Sequence, residues 1–117
     1  MRIFMVEITA PSQAEAERLG RALVEERLAS CANLLGGMRS IYRWKGRVHE
    51  GKETLLLVKT VEAALPALVE RVRSLHSYEC PCVAAFPISG GNLDYLAWVA
   101  AECRPHGRDA SQSGGPD

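Results

Sequence analysis

Leu75-His76-Ser77-Tyr78-Glu79-Cys80-Pro81-Cys82 is the joint at which a helical pattern gives way to a strand pattern. Upstream, Leu65, Leu68, Val69, Val72 and Leu75 recur at helical spacing. Pro66 fits that helix only in its first turn, which places the start near Ala64. Downstream, Val83-Ala84-Ala85-Phe86-Pro87-Ile88 reads as a strand, with Pro87 at its edge or end because it has no amide to give a ladder. Before the helix, Thr54-Leu55-Leu56-Leu57-Val58-Lys59-Thr60 is a strand apolar enough to be covered on both sides. Residues 54–88 therefore read β-α-β, and the joint is the point where the chain turns back towards its sheet.

The first half repeats that order. Residues 2–9 form an apolar run broken only by Glu7, a strand central in its sheet. Ser12 and Glu15 stand at capping-box spacing, so Ser12 is expected to accept from first-turn amides while Glu15 reaches back. Ala16, Leu19, Gly20, Leu23 and Val24 make the apolar stripe, with Glu15, Arg18, Arg21 and Glu25 on the wet side. Gly20 costs roughly 1 kcal/mol against Ala in a helix, which points to close packing on the sheet. The helix is expected to stop near Ala29-Ser30. Cys31 to Leu35 is extended, Gly36-Gly37 allows a bulge, and Ser40 to Trp44 alternates as a strand with one covered face. Lys45-Gly46-Arg47 is a hairpin tip, and residues 48–53 are its return strand or a loop. After a turn at Gly90-Gly91-Asn92, Asp94 to Cys103 reads as a short helix.

The order β-α-β-β-α-β plus a short helix specifies an α+β chain of the split-βαβ, ferredoxin-like kind. The 117 residues make one domain over residues 1–103 and a polar tail, 104–117, expected to be disordered. Lys plus Arg and Asp plus Glu are 14 each, so no net field draws the protein to nucleic acid or an anionic membrane. No apolar run approaches the roughly 18–20 residues of a membrane span. The first residues are too short in apolar content for a signal peptide, so a cytoplasmic location is expected. Four cysteines in such a chain are expected to be thiols, and Cys80 and Cys82 lie too close to bridge each other easily.

Several residues invite chemistry. Cys80 and Cys82 near His76 are soft donors that suit Cu(I) or Zn²⁺, and equally two small side chains filling a sheet face. His76 is also what a helix C-terminus favours, since an imidazole there bonds the last carbonyls. His49 in the hairpin and His106 in the tail read as solvated, and Cys31 and Cys103 as filler. Lys59 closes an apolar strand, either snorkelling to water or offering a charge to a carboxylate or phosphate, with Glu79 as its opposite number. Tyr42, Trp44, Tyr95 and Trp98 suit a ligand pocket or, by preference, a subunit interface. No H-E-x-x-H, P-loop, G-x-S-x-G or G-x-G-x-x-G motif is present, and an enzyme is not expected.

Thr9-Ala10-Pro11, Arg27-Leu28-Ala29-Ser30-Cys31-Ala32-Asn33, Ser40-Ile41-Tyr42-Arg43-Trp44-Lys45-Gly46, Leu57-Val58-Lys59-Thr60, Leu75 to Pro81, and Pro87-Ile88 with Gly91-Asn92 and Tyr95-Leu96-Ala97-Trp98 occur in that order. Together, over residues 3–100, they resemble the CutA divalent-cation tolerance family. The resemblance implies a homotrimer similar to the PII signalling proteins, with a long hairpin (about residues 38–58) pairing between subunits. It also implies a link to divalent-metal tolerance and copper binding. Of the family's proposed ligands only His76 carries over, since Ile8 and Leu75 stand at the other positions. Cys80 and Cys82 are substitute soft donors. The alternatives are a PII-like sensor of a small anion or nucleotide at an intersubunit cleft, held by Lys59, His76, Tyr78 and Glu79, and a structural trimer that anchors partners.

Overall fold

The computed structural model describes residues 2–103. Four strands, β1 (Ile3–Ala10), β2 (Cys31–Trp44), β3 (Arg47–Val61) and β4 (Val83–Pro87), form one antiparallel sheet in the order β2-β3-β1-β4. Helices α1 (Gln13–Glu25) and α2 (Leu65–Leu75) cover one face, and α3 (Leu93–Glu102) follows the last strand. The split-βαβ arrangement is what the sequence order predicts. The expected tail, with His106, lies outside the described residues.

Alternation along the strands assigns the faces. Val6, Ile8, Leu56 and Val58 are fully buried beneath Ala16, Leu19, Leu23, Leu68 and Val72 of the two helices. Gly20 permits this contact. A Cβ there would stand 3.1 Å from the Ala32 Cβ, closer than carbon atoms comfortably approach. On the opposite face α3 covers only one end, where Ile3, Val61, Ala64, Val99 and Cys103 make a second small cluster. Met5, Glu7, Leu55 and Leu57 on that face remain half-buried.

The α1 terminus differs from expectation. The helix ends at Glu25, four to five residues early, because Arg27 adopts φ +62°. Arg27 N–H then donates to Val24 O (3.1 Å) and Leu28 N–H to Leu23 O (2.9 Å), a Schellman closure. Glycine normally takes that left-handed position. Arginine serves here because its guanidinium reaches the Ala101 carbonyl at 3.1 Å and Glu102 at 3.6 Å, tying α1 to α3. Leu28 drops into the core behind it.

Residues 48–53 are strand, not loop. β2 and β3 run as a two-stranded ribbon to a two-residue turn at Lys45 (φ +53°) and Gly46 (φ +81°), the backbone that a tight hairpin demands. The register shifts between Leu35 and Met38, where Gly37 has φ +77°. Beyond this bulge the ribbon has no third strand among the described residues: β1 pairs β3 only from Thr54 to Val61. The projection lengthens the molecule to 50 × 29 × 23 Å, with a radius of gyration of 15.1 Å. A compact chain of this size has about 13 Å.

Candidate functional site

The joint after α2 is where three elements meet. His76, the α2 C-cap, closes the helix with its backbone N–H on Val72 O and turns its ring inward. The side chain is wholly enclosed. Its Nε2 donates to the Thr9 carbonyl at the end of β1 (2.7 Å), and its Nδ1 accepts the Tyr78 N–H (3.0 Å). A carbonyl only accepts, so Nε2 carries the hydrogen and Nδ1 the lone pair. Both nitrogens are spent on the fold, and His76 offers a metal no free lone pair while these bonds stand.

Glu15 is the residue that sequence reasoning missed. Ser12 caps α1 as expected, accepting Glu15 N–H at 3.1 Å. The Glu15 carboxylate, however, does not reach back and is not on the wet side; the residue is 7% exposed. It accepts the Ser77 N–H and the Ser77 hydroxyl, both at 2.8 Å, and its Oε2 lies 3.4 Å from His76 Nδ1. Burial alone would push the Glu15 pKa up. The two Ser77 hydrogen bonds, with help from His76 and Arg18, more than offset that and hold it below the ordinary carboxylate value. A local capping pattern gave no signal for this, because Ser77 is 62 positions away.

Tyr78 carries the joint outward to the ribbon. Its hydroxyl donates to Glu53 Oε2 (2.8 Å), and Glu53 Oε1 accepts from Ser40 Oγ (2.6 Å). Burial first, and then this carboxylate, push the phenol pKa well up. The ring also lies 4.8 Å from the His76 ring.

The other predicted residues are not gathered at the joint. Cys80 and Cys82 are exposed, so they do not fill the sheet face. Burial and the nearby Glu7 raise the Cys82 thiol above its ordinary value. Among the described residues no group of three or more His, Cys, Asp or Glu is placed to hold a metal, so His76, Cys80 and Cys82 do not form a single-chain site. Lys59 reaches Asn33 at 3.5 Å, while Glu79 lies 3.9 Å from Lys45; the Lys59–Glu79 pairing is not formed. The six-residue step from Glu53 to Lys59 along β3 spans roughly 20 Å of strand, so one chain does not bring Lys59 to Tyr78.

The four aromatics occupy two places. Tyr42 and Trp44 stand on the ribbon, 48% and 40% exposed, with Tyr42 stacked on His49, which is half-buried by that contact. Tyr95 and Trp98 pair on α3 at 5.8 Å, with the Tyr95 hydroxyl 3.6 Å from Cys31 Sγ. That hydrogen bond, with burial, pushes the Tyr95 pKa up to about 12. Cys103 is buried beneath α3, and Cys31 is half-buried. Among the described residues no helix is long and apolar enough to cross a membrane.

Comparison with known proteins places this geometry. The family model of the CutA1 divalent ion tolerance protein matches residues 4–102. The divalent-cation tolerance protein CutA of Thermus thermophilus is 53% identical over 95 residues, which are 81% of this chain and 92% of that protein. The human Protein CutA is 46% identical over 92 residues, 79% of this chain but 51% of the human one, so the chain spans about half of that relative. A solved structure of the Thermus thermophilus divalent cation tolerance protein superposes with a TM-score of 0.86 at 49% identity, covering 87% of this chain and 99% of that one.

Proposed function

The chain belongs to the CutA1 divalent ion tolerance family, and from that premise we propose that it acts in divalent-metal tolerance as a cytoplasmic homotrimer, binding copper or a similar soft ion without catalysing a reaction. The observation that carries the assembly is the ribbon. Ile41, Tyr42, Trp44 and Val48 are 40–70% exposed on a two-stranded hairpin. A ribbon of that kind is at best marginally stable alone in water. Copies packed against one another give those side chains the cover that their own subunit withholds.

The metal reading rests on the family and on two exposed thiols, Cys80 and Cys82, beside the edge strand β4. Thiolates select soft ions such as Cu(I). One chain supplies too few donors, so the site is completed by a neighbouring copy. All four cysteines are free, which suits a reducing compartment. Titration with Cu(I), Cu²⁺ and Zn²⁺ tests this reading. Cys80→Ser with Cys82→Ser is expected to lose Cu(I) affinity while His76→Asn keeps it; unchanged affinity in the double variant removes the thiols as ligands.

A further inference from the structure

Cys31 and Cys103 do not belong to the joint, and both come to one point of β3, the Lys59 carbonyl. Cys31 opens β2 and stands opposite Lys59 in the β2–β3 register. The Ser30 N–H just before it donates to Lys59 O at 2.9 Å, and Cys103 Sγ lies 4.0 Å from that same oxygen. Arg27 holds the two segments together, since its guanidinium reaches the Ala101 carbonyl at 3.1 Å and Glu102 at 3.6 Å. The two thiols interact electrostatically: burial pushes the Cys103 thiol up, and a charge on Cys31 adds to that rise. They are also unlike. Cys31 is half-buried, with the Tyr95 hydroxyl 3.6 Å from its sulfur and able to donate to a thiolate. Cys103 is 6% exposed and is the C-cap of α3, with extended backbone (φ −99°, ψ 135°) that has left the helix.

We propose that Cys31 and Cys103 are a peroxide-responsive thiol pair, in which Cys31 reacts first and Cys103 closes a disulfide that fastens α3 to β2. Exposure and thiolate character decide which sulfur an oxidant reaches, and both favour Cys31. Its thiolate attacks one oxygen of hydrogen peroxide: an S–O bond forms, the O–O bond breaks, and the departing hydroxide takes up the proton that the thiol gave to solvent. The product is a sulfenic acid, which condenses with a nearby thiol. The Cys103 sulfur attacks the Cys31 sulfur, the S–S bond forms, the S–O bond breaks, and hydroxide leaves with the Cys103 proton as water. Two thiols are oxidised by two electrons, and one peroxide is reduced to two waters. A bridge of this kind is the transient, redox-sensing sort that reducing compartments tolerate. The pair is separate from Cys80 and Cys82, on which the metal proposal rests, and Cys80→Ser with Cys82→Ser should leave it intact.

Peptide mapping of the full chain tests it. The protein is treated with stoichiometric hydrogen peroxide, its remaining thiols are alkylated, and it is cut after glutamate without reduction. Cleavage at Glu26, Glu50, Glu79 and Glu102 leaves Cys31 within residues 27–50, Cys80 and Cys82 within 80–102, and Cys103 at the start of the last fragment. The expected product is fragment 27–50 joined to the Cys103 fragment, lighter by two hydrogens and separated again by dithiothreitol. Cys103→Ser should stop at the sulfenic acid, captured on Cys31 by dimedone. Cys31 and Cys103 both alkylated after peroxide, or a bridge from either of them to Cys80 or Cys82, overturns the proposal. So does a Cys31–Cys103 link that runs between chains, seen as a covalent dimer on non-reducing electrophoresis, or a Cys103→Ser protein that dimedone does not label at Cys31. The bridge is read on the wild type, so the test stands even if a variant fails to fold. Copper titration of the Cys80 and Cys82 variant reads the metal proposal separately, and either can fail alone.

Discussion

The two ends of the β2–β3 hairpin are made from the same pair of strands and live in different environments. At the base, Leu56 and Val58 are fully buried between β1 and two helices. Past the Leu35/Met38 shift, the strands carry side chains such as Ile41 and Val48, 70% and 62% exposed, with no third strand beside them among the described residues. The base has the means to stabilise itself. The ribbon has good strand-forming residues and a matched turn but little cover among the described residues, which is the reason for proposing that neighbouring copies supply it.

Substitutions separate the two. Leu56→Ala at the base removes a fully buried side chain and should cost about 2–5 kcal/mol in denaturant unfolding, the usual range for a core cavity. On the ribbon, Trp44→Ala should act on assembly, weakening trimer association by about 2 kcal/mol, as an aromatic anchor does. Sedimentation at falling concentration reads it. If the variant stays trimeric at nanomolar concentration with unchanged melting, Trp44 is not an anchor. Tyr78→Phe cuts the strut between the two regions and should cost about 1.5 kcal/mol, since it deletes one hydrogen bond to a carboxylate. Ribbon amides should lose protection in that variant while base amides keep theirs.

The smallest effect is in acid and belongs to the base. Glu15 has a folded-state pKa below its ordinary value of 4.5. Its contribution to stability is therefore complete above about pH 4.5 and is lost as pH falls through the lower folded-state value. Glu15→Gln should reduce the acid sensitivity of unfolding in that window, and an unchanged acid limb would show that another carboxylate governs it.

How much of this was legible follows the same division. Apolar periodicity located every strand and helix of the base, because burial imposes the pattern. The α1 terminus was misplaced since Arg27, a residue with no special liking for positive φ, takes the turn through its tie to α3. Glu15 was assigned to solvent because its partner, Ser77, is brought to it only by the tertiary fold. His76 was visible as a residue worth attention, and its bonds to Thr9 and Tyr78 show it holding the joint together. The pairing of Lys59 with Glu79 failed for a related reason: position along a chain says nothing about which end of a strand a side chain occupies. Tyr42 and Trp44 were read as interface aromatics, and their exposure on an unsupported ribbon supports that assembly reading.

The claim on which the rest depends is that other copies of the chain cover the ribbon. Sedimentation equilibrium of the wild type, combined with hydrogen exchange of the amides from Met38 to Glu53, tests it directly. The account predicts one species of three times the chain mass with those amides protected, and loss of both together on dilution. A monodisperse monomer whose ribbon amides remain protected would contradict it.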